Sequence, residues 1–168
     1  MKKAFQLNKK VGPIYLGESR IVPLIGTGNL LVPFSGQVAI RNARTVELVS
    51  MVGSPVESDD DDVAVKVLAV FGFDSTVVMA KSQGQIEVYN IENSLTEPQR
   101  TWKTVDNAAV TLVVCGDGKV AVGFSDGFIR LYDLEGGFCV ATLKGQHRGL
   151  INSMLMMGSR LFSAGEDG

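Results

Sequence analysis

Gly118-Lys-Val-Ala-Val-Gly-Phe-Ser-Asp-Gly-Phe-Ile-Arg-Leu-Tyr-Asp133 places two short apolar runs, 120–124 and 128–132, on either side of Ser125, Asp126 and Gly127. An Asp-Gly pair between β-patterned runs is a strong local hairpin signal, because glycine takes a positive φ without a steric penalty. The stretch therefore predicts a tight antiparallel hairpin closing on Tyr132 and Asp133.

The same phrase recurs. Gly36-Gln-Val-Ala-Ile-Arg-Asn42 and Gly84-Gln-Ile-Glu-Val-Tyr-Asn90 match Gly127-Phe-Ile-Arg-Leu-Tyr-Asp133 position by position: glycine, any residue, aliphatic, a variable residue, aliphatic, any residue, then Asn or Asp. Glu166-Asp-Gly168 opens a fourth copy, and the four glycines stand at intervals of 48, 43 and 41 residues. A fixed period of this length marks a repeated supersecondary unit, and about 40–45 residues suit a four-stranded propeller blade.

Working outward, each period divides into short β runs about ten residues apart, punctuated by turn residues. The first blade spans about 21–53, with strands expected at 21–25, 30–34, 38–41 and 46–51. The second spans 63–104, with an inner strand at 63–70, apolar enough to be buried on both faces, then 76–80, 85–89 and 101–103. The third, 108–143, has runs at 109–114, 120–124, 128–132 and 138–143; the fourth, 147–168, offers only 150–156 and 160–164. The expectation is an all-β fold, a partial β-propeller of about three and a half four-stranded blades. Residues 1–20 read as a lead-in and closing strand. The chain itself reads as a fragment cut mid-blade.

Composition fits an ordinary globular chain, 45% hydrophobic and 20% charged. Its net charge of −2 argues against a surface given wholly to nucleic acid. No apolar run reaches the roughly 20 residues of a bilayer span, and the first ten residues lack the apolar segment of a signal peptide. Membrane association is therefore not expected. Cys115 and Cys139 lie in apolar runs without CxxC spacing and read as buried, reduced thiols.

The repeats resemble the WD-repeat family over essentially residues 21–168. That resemblance implies a structural tetrad of His, Ser or Thr, Asp and Trp; the matching positions are His147, Ser163 and Asp167, with Asp126 in the preceding blade. The tetrad is incomplete, since Tyr89 and Tyr132 stand where Trp is expected. Lys10-Val-Gly-Pro-Ile-Tyr15, the acidic run before the second blade and Arg100-Thr-Trp-Lys-Thr-Val-Asp-Asn-Ala-Ala-Val110 resemble, more narrowly, the transducin-β-like WD-repeat subunits of the U3 small nucleolar ribonucleoprotein in the small-subunit processome. This implies a nucleolar scaffold in pre-rRNA processing and ribosome biogenesis, bound to further WD-repeat proteins, with RNA touched indirectly. A cytoplasmic adaptor of an unrelated complex is the alternative.

No residue constellation points to catalysis or to a cofactor. The run Asp59, Asp60, Asp61 and Asp62 reads as a solvated loop, as a contact for a basic partner or as a cation site; four consecutive aspartates cannot all converge on one ion. His147 is the sole histidine and reads as a structural hydrogen-bonding residue. The Gly-rich turns lack the following Lys-Ser/Thr of a phosphate loop. Lys2, Lys3, Lys9 and Lys10 suit either RNA phosphates or solubility, and Trp102, Tyr89 and Tyr132 suit packing between blades. A propeller enzyme would need polar groups on its inner strands, and those expected here are almost wholly apolar.

Overall fold

The computed structural model describes residues 19–55, 65–104, 108–145 and 147–168. It contains strands and turns and no helix among these residues. The first blade is β1 (Val22–Ile25), β2 (Asn29–Phe34), β3 (Gln37–Asn42) and β4 (Leu48–Val52); the second is β5 (Val67–Phe73), β6 (Thr76–Lys81), β7 (Gln85–Asn90) and β8 (Arg100–Lys103). The third is β9 (Val110–Gly116), β10 (Lys119–Phe124), β11 (Ile129–Asp133) and β12 (Cys139–Leu143), followed by the hairpin β13 (Ile151–Met157) and β14 (Arg160–Gly165).

Every blade is an antiparallel meander, each strand pairing with the next in sequence. The innermost strands of the first two blades also pair with each other in parallel, Leu24 opposite Gly72 and Ile25 opposite Phe73, which joins the two blades into one eight-stranded sheet. This is a partial all-β propeller.

The apolar core is divided among the seams between blades. Leu24, Leu31, Val38, Ile40 and Val52 meet Val67, Val77, Met79 and Tyr89 in the first seam. Val78, Ala80, Ile86 and Trp102 meet Val113, Val120, Val122 and Tyr132 in the second. The third joins Val114, Ala121 and Ile129 to Ile151 and Met154. Strand periodicity explains the division: along β6, Val77 and Met79 face one seam while Val78 and Ala80 face the other, so a run apolar at every position is fully used. Valine and isoleucine predominate in the seams, and their branched side chains suit a pleated surface buried on both sides.

Three expectations are corrected. The second blade's inner strand lies at Val67–Phe73, shifted toward the C-terminus of the expected 63–70. Phe71-Gly72-Phe73 stays in the ladder because Gly72 is a contact point: a Cβ there would stand 2.5 Å from a Leu31 methyl and 2.6 Å from one of Leu24. The third inner strand likewise runs on to Gly116. Of the two cysteines, Cys115 is half-buried and Cys139 is exposed; both are free thiols. Cys139 sits on an outer strand whose side chains largely face solvent, so its apolar neighbourhood in sequence does not bury it. Burial pushes the Cys115 thiol up to about 11. Asp59 to Asp62 and most of 1–20 lie outside the described residues.

Candidate functional site

The repeat glycines and their closing residues have defined local roles. Gly84 and Gly127 turn β6 into β7 and β10 into β11 with φ of 71° and 82°; at the first copy Ser35, beside Gly36, takes the left-handed conformation with φ 53°. The Asn or Asp that ends each phrase caps the loop that follows. Asn42 Oδ1 accepts the backbone N–H groups of Arg44 and Thr45, Asn90 Oδ1 that of Glu92, and Asp133 Oδ1 that of Gly136. The acceptor required there, two or three residues before an unpaired N–H, accounts for the Asn/Asp of the motif. Asp126 stays within its own turn, accepting from the Phe128 N–H at 3.0 Å.

His147, Ser163 and Asp167 are brought together. The loop before β13 carries His147, β14 carries Ser163 and the turn after it carries Asp167. The His147 ring is 2.8 Å from Asp167 Oδ1 through Nδ1 and 2.9 Å from Ser163 Oγ through Nε2. A carboxylate only accepts, so Nδ1–H is the donor to Asp167. The Arg148 N–H donates to the second carboxylate oxygen at 3.0 Å. These bonds, the one from His147 first, hold the Asp167 carboxyl below its ordinary value of 3.8. A depressed folded value means that the carboxylate stabilises the fold above its unfolded pKa and that this contribution is lost as pH falls through the folded one. The expected result is faster amide hydrogen exchange in β13 and β14 as pH drops below about 4, beyond the intrinsic pH trend. Asp167→Asn should remove that extra acid dependence; if the variant retains it, another group is responsible.

In the other blades the position of Ser163 is taken by Leu31, Met79 and Val122, all fully buried. Different contacts replace the tetrad. In the second blade Lys81 Nζ lies 2.8 Å from Glu87 Oε2, and the Tyr89 hydroxyl donates to the same oxygen at 2.6 Å, all within the seam. Desolvation there, then the bond to Glu87, pushes the Tyr89 phenol above its ordinary range. In the third blade the Arg130 guanidinium lies 4.5 Å from the Phe124 ring centroid. Trp102 stacks on Tyr132 at 4.8 Å between centroids and donates its Nε1–H to the Gly137 carbonyl, tying the outer strand of the second blade to the third. Burial raises the Tyr132 phenol.

A cleft of about 520 Å³ lies where the inner strands end, reached by Ile25, Phe71, Phe73, Val114, Leu155 and Met156. Phe73 and Leu155 are half exposed, at 51% and 54%. Asp117, in a two-residue turn with φ 49°, is the charged residue of its rim. Sequence reasoning missed this cleft. Its signal was the aromatic pair Phe71 and Phe73 at alternate strand positions, but only the neighbouring inner strands reveal that both face one mouth. Apolar side chains concentrated at a concave mouth suit recognition of another protein's side chains. The described residues contain no group of three or more His, Cys, Asp or Glu able to hold a metal ion.

No protein-family model matches the chain, and no curated protein matches it. Solved structures do share its fold. The computationally designed protein Ika4 is similar with a TM-score of 0.70 and 18% identity, over 96% of this chain and 95% of that one. The designed protein Ika8 gives 0.68 and 17%, over 90% of this chain and 43% of its own. Sqt1 of Saccharomyces cerevisiae gives 0.60 and 13%, over 83% of this chain and 39% of its own. The chain thus spans about two fifths of the length of the latter two. At these identities the likeness defines the fold, a WD/propeller-like all-strand arc.

Proposed function

We propose that the chain is a non-catalytic binding scaffold, a WD-repeat arc that holds partner proteins on rigid blades, and that it serves in the U3 small nucleolar ribonucleoprotein and small-subunit processome in the nucleolus. The observation that carries the scaffold reading is the apolar cleft at the ends of the inner strands, held by blades whose seams are fully packed. A rigid support with an exposed apolar mouth binds without a large ordering cost. The non-catalytic reading rests on the setting of Ser163. Its hydrogen bond to His147 and the bond from His147 to Asp167 have the connectivity of a nucleophile triad. Ser163 nevertheless lies mid-strand, opposite Met154, with its backbone in the sheet and not at a turn that would aim N–H groups at an oxyanion. The processome reading is supported by the flanking sequence features that resemble that group of subunits.

The test is affinity purification of the full-length protein from its own cells, with bound RNA sequenced and bound proteins identified. Recovery of U3 RNA with further WD-repeat subunits, lost on ribonuclease treatment or in a Phe73→Asp, Leu155→Asp variant that remains folded, is the expected result. A ribonuclease-insensitive cytoplasmic complex would replace the processome by an unrelated adaptor role. Unchanged partners in the double variant would remove the cleft from the scaffold reading.

A further inference from the structure

The opposite mouth of the arc, where the inner strands begin, has a different chemistry. A cavity of about 270 Å³ opens there between the first residues of β9 and β13 and the lead-in to β1. Five aliphatic side chains form its walls: Leu68, Val110, Leu112, Leu150 and Ile151. Three polar residues complete it, and each can donate hydrogen bonds: Arg20, Thr111 and Asn152. Among the described residues Arg20 is the only charged one of the lining, and no carboxylate there pairs with it. The Thr111 hydroxyl is buried with no hydrogen-bond partner. A buried hydroxyl without a partner is uncommon and energetically unfavourable. Thr111 lines the cavity, so an acceptor seated there is the partner this hydroxyl lacks.

We propose that this mouth captures the C-terminal carboxylate of a partner chain ending in an aliphatic residue. The guanidinium, with no acidic group among the described lining residues, favours an anion, and the Thr111 hydroxyl and Asn152 amide can donate to it. A carboxylate is planar and accepts only, so it takes a forked pair of bonds from Arg20 and a further bond from the Thr111 hydroxyl. The walls decide which carboxylate. An aspartate or glutamate side chain has no aliphatic branch to fill five apolar contacts, whereas a terminal leucine or valine presents its side chain and its carboxylate from one residue. A cavity of this size holds about one such residue. The proposal is independent of the apolar cleft, which lies at the other ends of the same strands.

The experiment is fluorescence anisotropy with the full chain and a labelled peptide, Gly-Ser-Gly-Ser-Val-Leu, as free acid and as C-terminal amide, beside a peptide with an internal glutamate and an amidated end. The free acid should bind at least about tenfold more tightly than the other two. Arg20→Met should abolish that preference and Thr111→Val reduce it severalfold, with circular dichroism melts of the Arg20 variant unchanged because Arg20 precedes β1. Should the Thr111 variant fail to fold, the Arg20 variant and the amide still decide. Equal binding of acid and amide, a preference for the internal glutamate, retention of the preference in the Arg20 variant, or absence of binding by the free acid would each overturn the assignment.

Discussion

Replacing Gly127 by alanine is expected to destabilise the chain by about 2–4 kcal/mol and to lower its Tm by roughly 5–15 °C. Two costs add. Gly127 has a φ of 82°, where an L residue meets its own following carbonyl at a cost of about 1–2 kcal/mol. A Cβ at that place would also stand 2.5 Å from the His147 carbonyl oxygen and 2.9 Å from that of Gly149. Those atoms are backbone and cannot swing aside, so the loop that presents His147 to Ser163 and Asp167 must shift as a whole. Gly118 provides the control: its φ is 66° and a Cβ there would point into open space, so its alanine variant carries the conformational cost alone. Urea denaturation of the two variants separates the costs. If Gly127→Ala loses no more stability than Gly118→Ala, the glycine is there for the turn and not for the contact between blades.

The repeat glycine therefore does two things, one legible in the sequence and one not. A turn between two apolar runs is a local property, so the hairpins and their period can be read directly from Gly36, Gly84 and Gly127. The Asn and Asp that close each phrase are equally local, since their acceptors meet N–H groups two or three residues on. His147, Ser163 and Asp167 stand out in the sequence only through the resemblance of their spacing to a family pattern, and the structure places the three within hydrogen-bonding distance. The rest depends on neighbours far away in the chain. Gly72 resembles a strand break until Leu24 and Leu31 of the preceding blade are seen to occupy the space of its side chain. Phe73 and Leu155 come together only when the second and fourth blades are set around one axis. Arg20 lies before the first strand, in a stretch with no periodicity to place it.

The seams also show how divergent blades hold without a full tetrad. Blade-to-blade contact is made chiefly by aliphatic side chains, with the Trp102–Tyr132 stack bridging the second and third blades; Lys81, Glu87 and Tyr89 lie within the second blade, and His147, Ser163 and Asp167 within the last hairpin, so these polar sets brace single blades. Close-packed apolar side chains interdigitate and resist sliding between blades, while a hydrogen-bonded set in low dielectric fixes the side chains within one blade. Rigid seams in turn keep both mouths of the arc in fixed shape.

Lys81→Met is expected to cost about 3–5 kcal/mol. The side chains of Lys81 and Glu87 are only 6% and 10% exposed, and the ammonium is the charge that balances the carboxylate in the seam. Methionine keeps the length and apolar stem of lysine, so packing survives while Glu87 keeps the hydrogen bond from the Tyr89 hydroxyl but loses its counter-ion. A buried charge deprived of its counter-ion is far more damaging than the pair is stabilising, because pairing had only offset the desolvation of both ions. Adding Glu87→Leu should therefore recover most of the loss, to within about 1 kcal/mol of the parent, and further adding Tyr89→Phe should remove the orphaned hydroxyl. Chemical denaturation of the single, double and triple variants traces this sequence. A loss below about 1 kcal/mol for Lys81→Met would mean that water reaches the pair and that the first seam is held by its aliphatic contacts alone. A double variant no more stable than the single one would instead assign the effect to lysine's own packing, not to the uncompensated carboxylate.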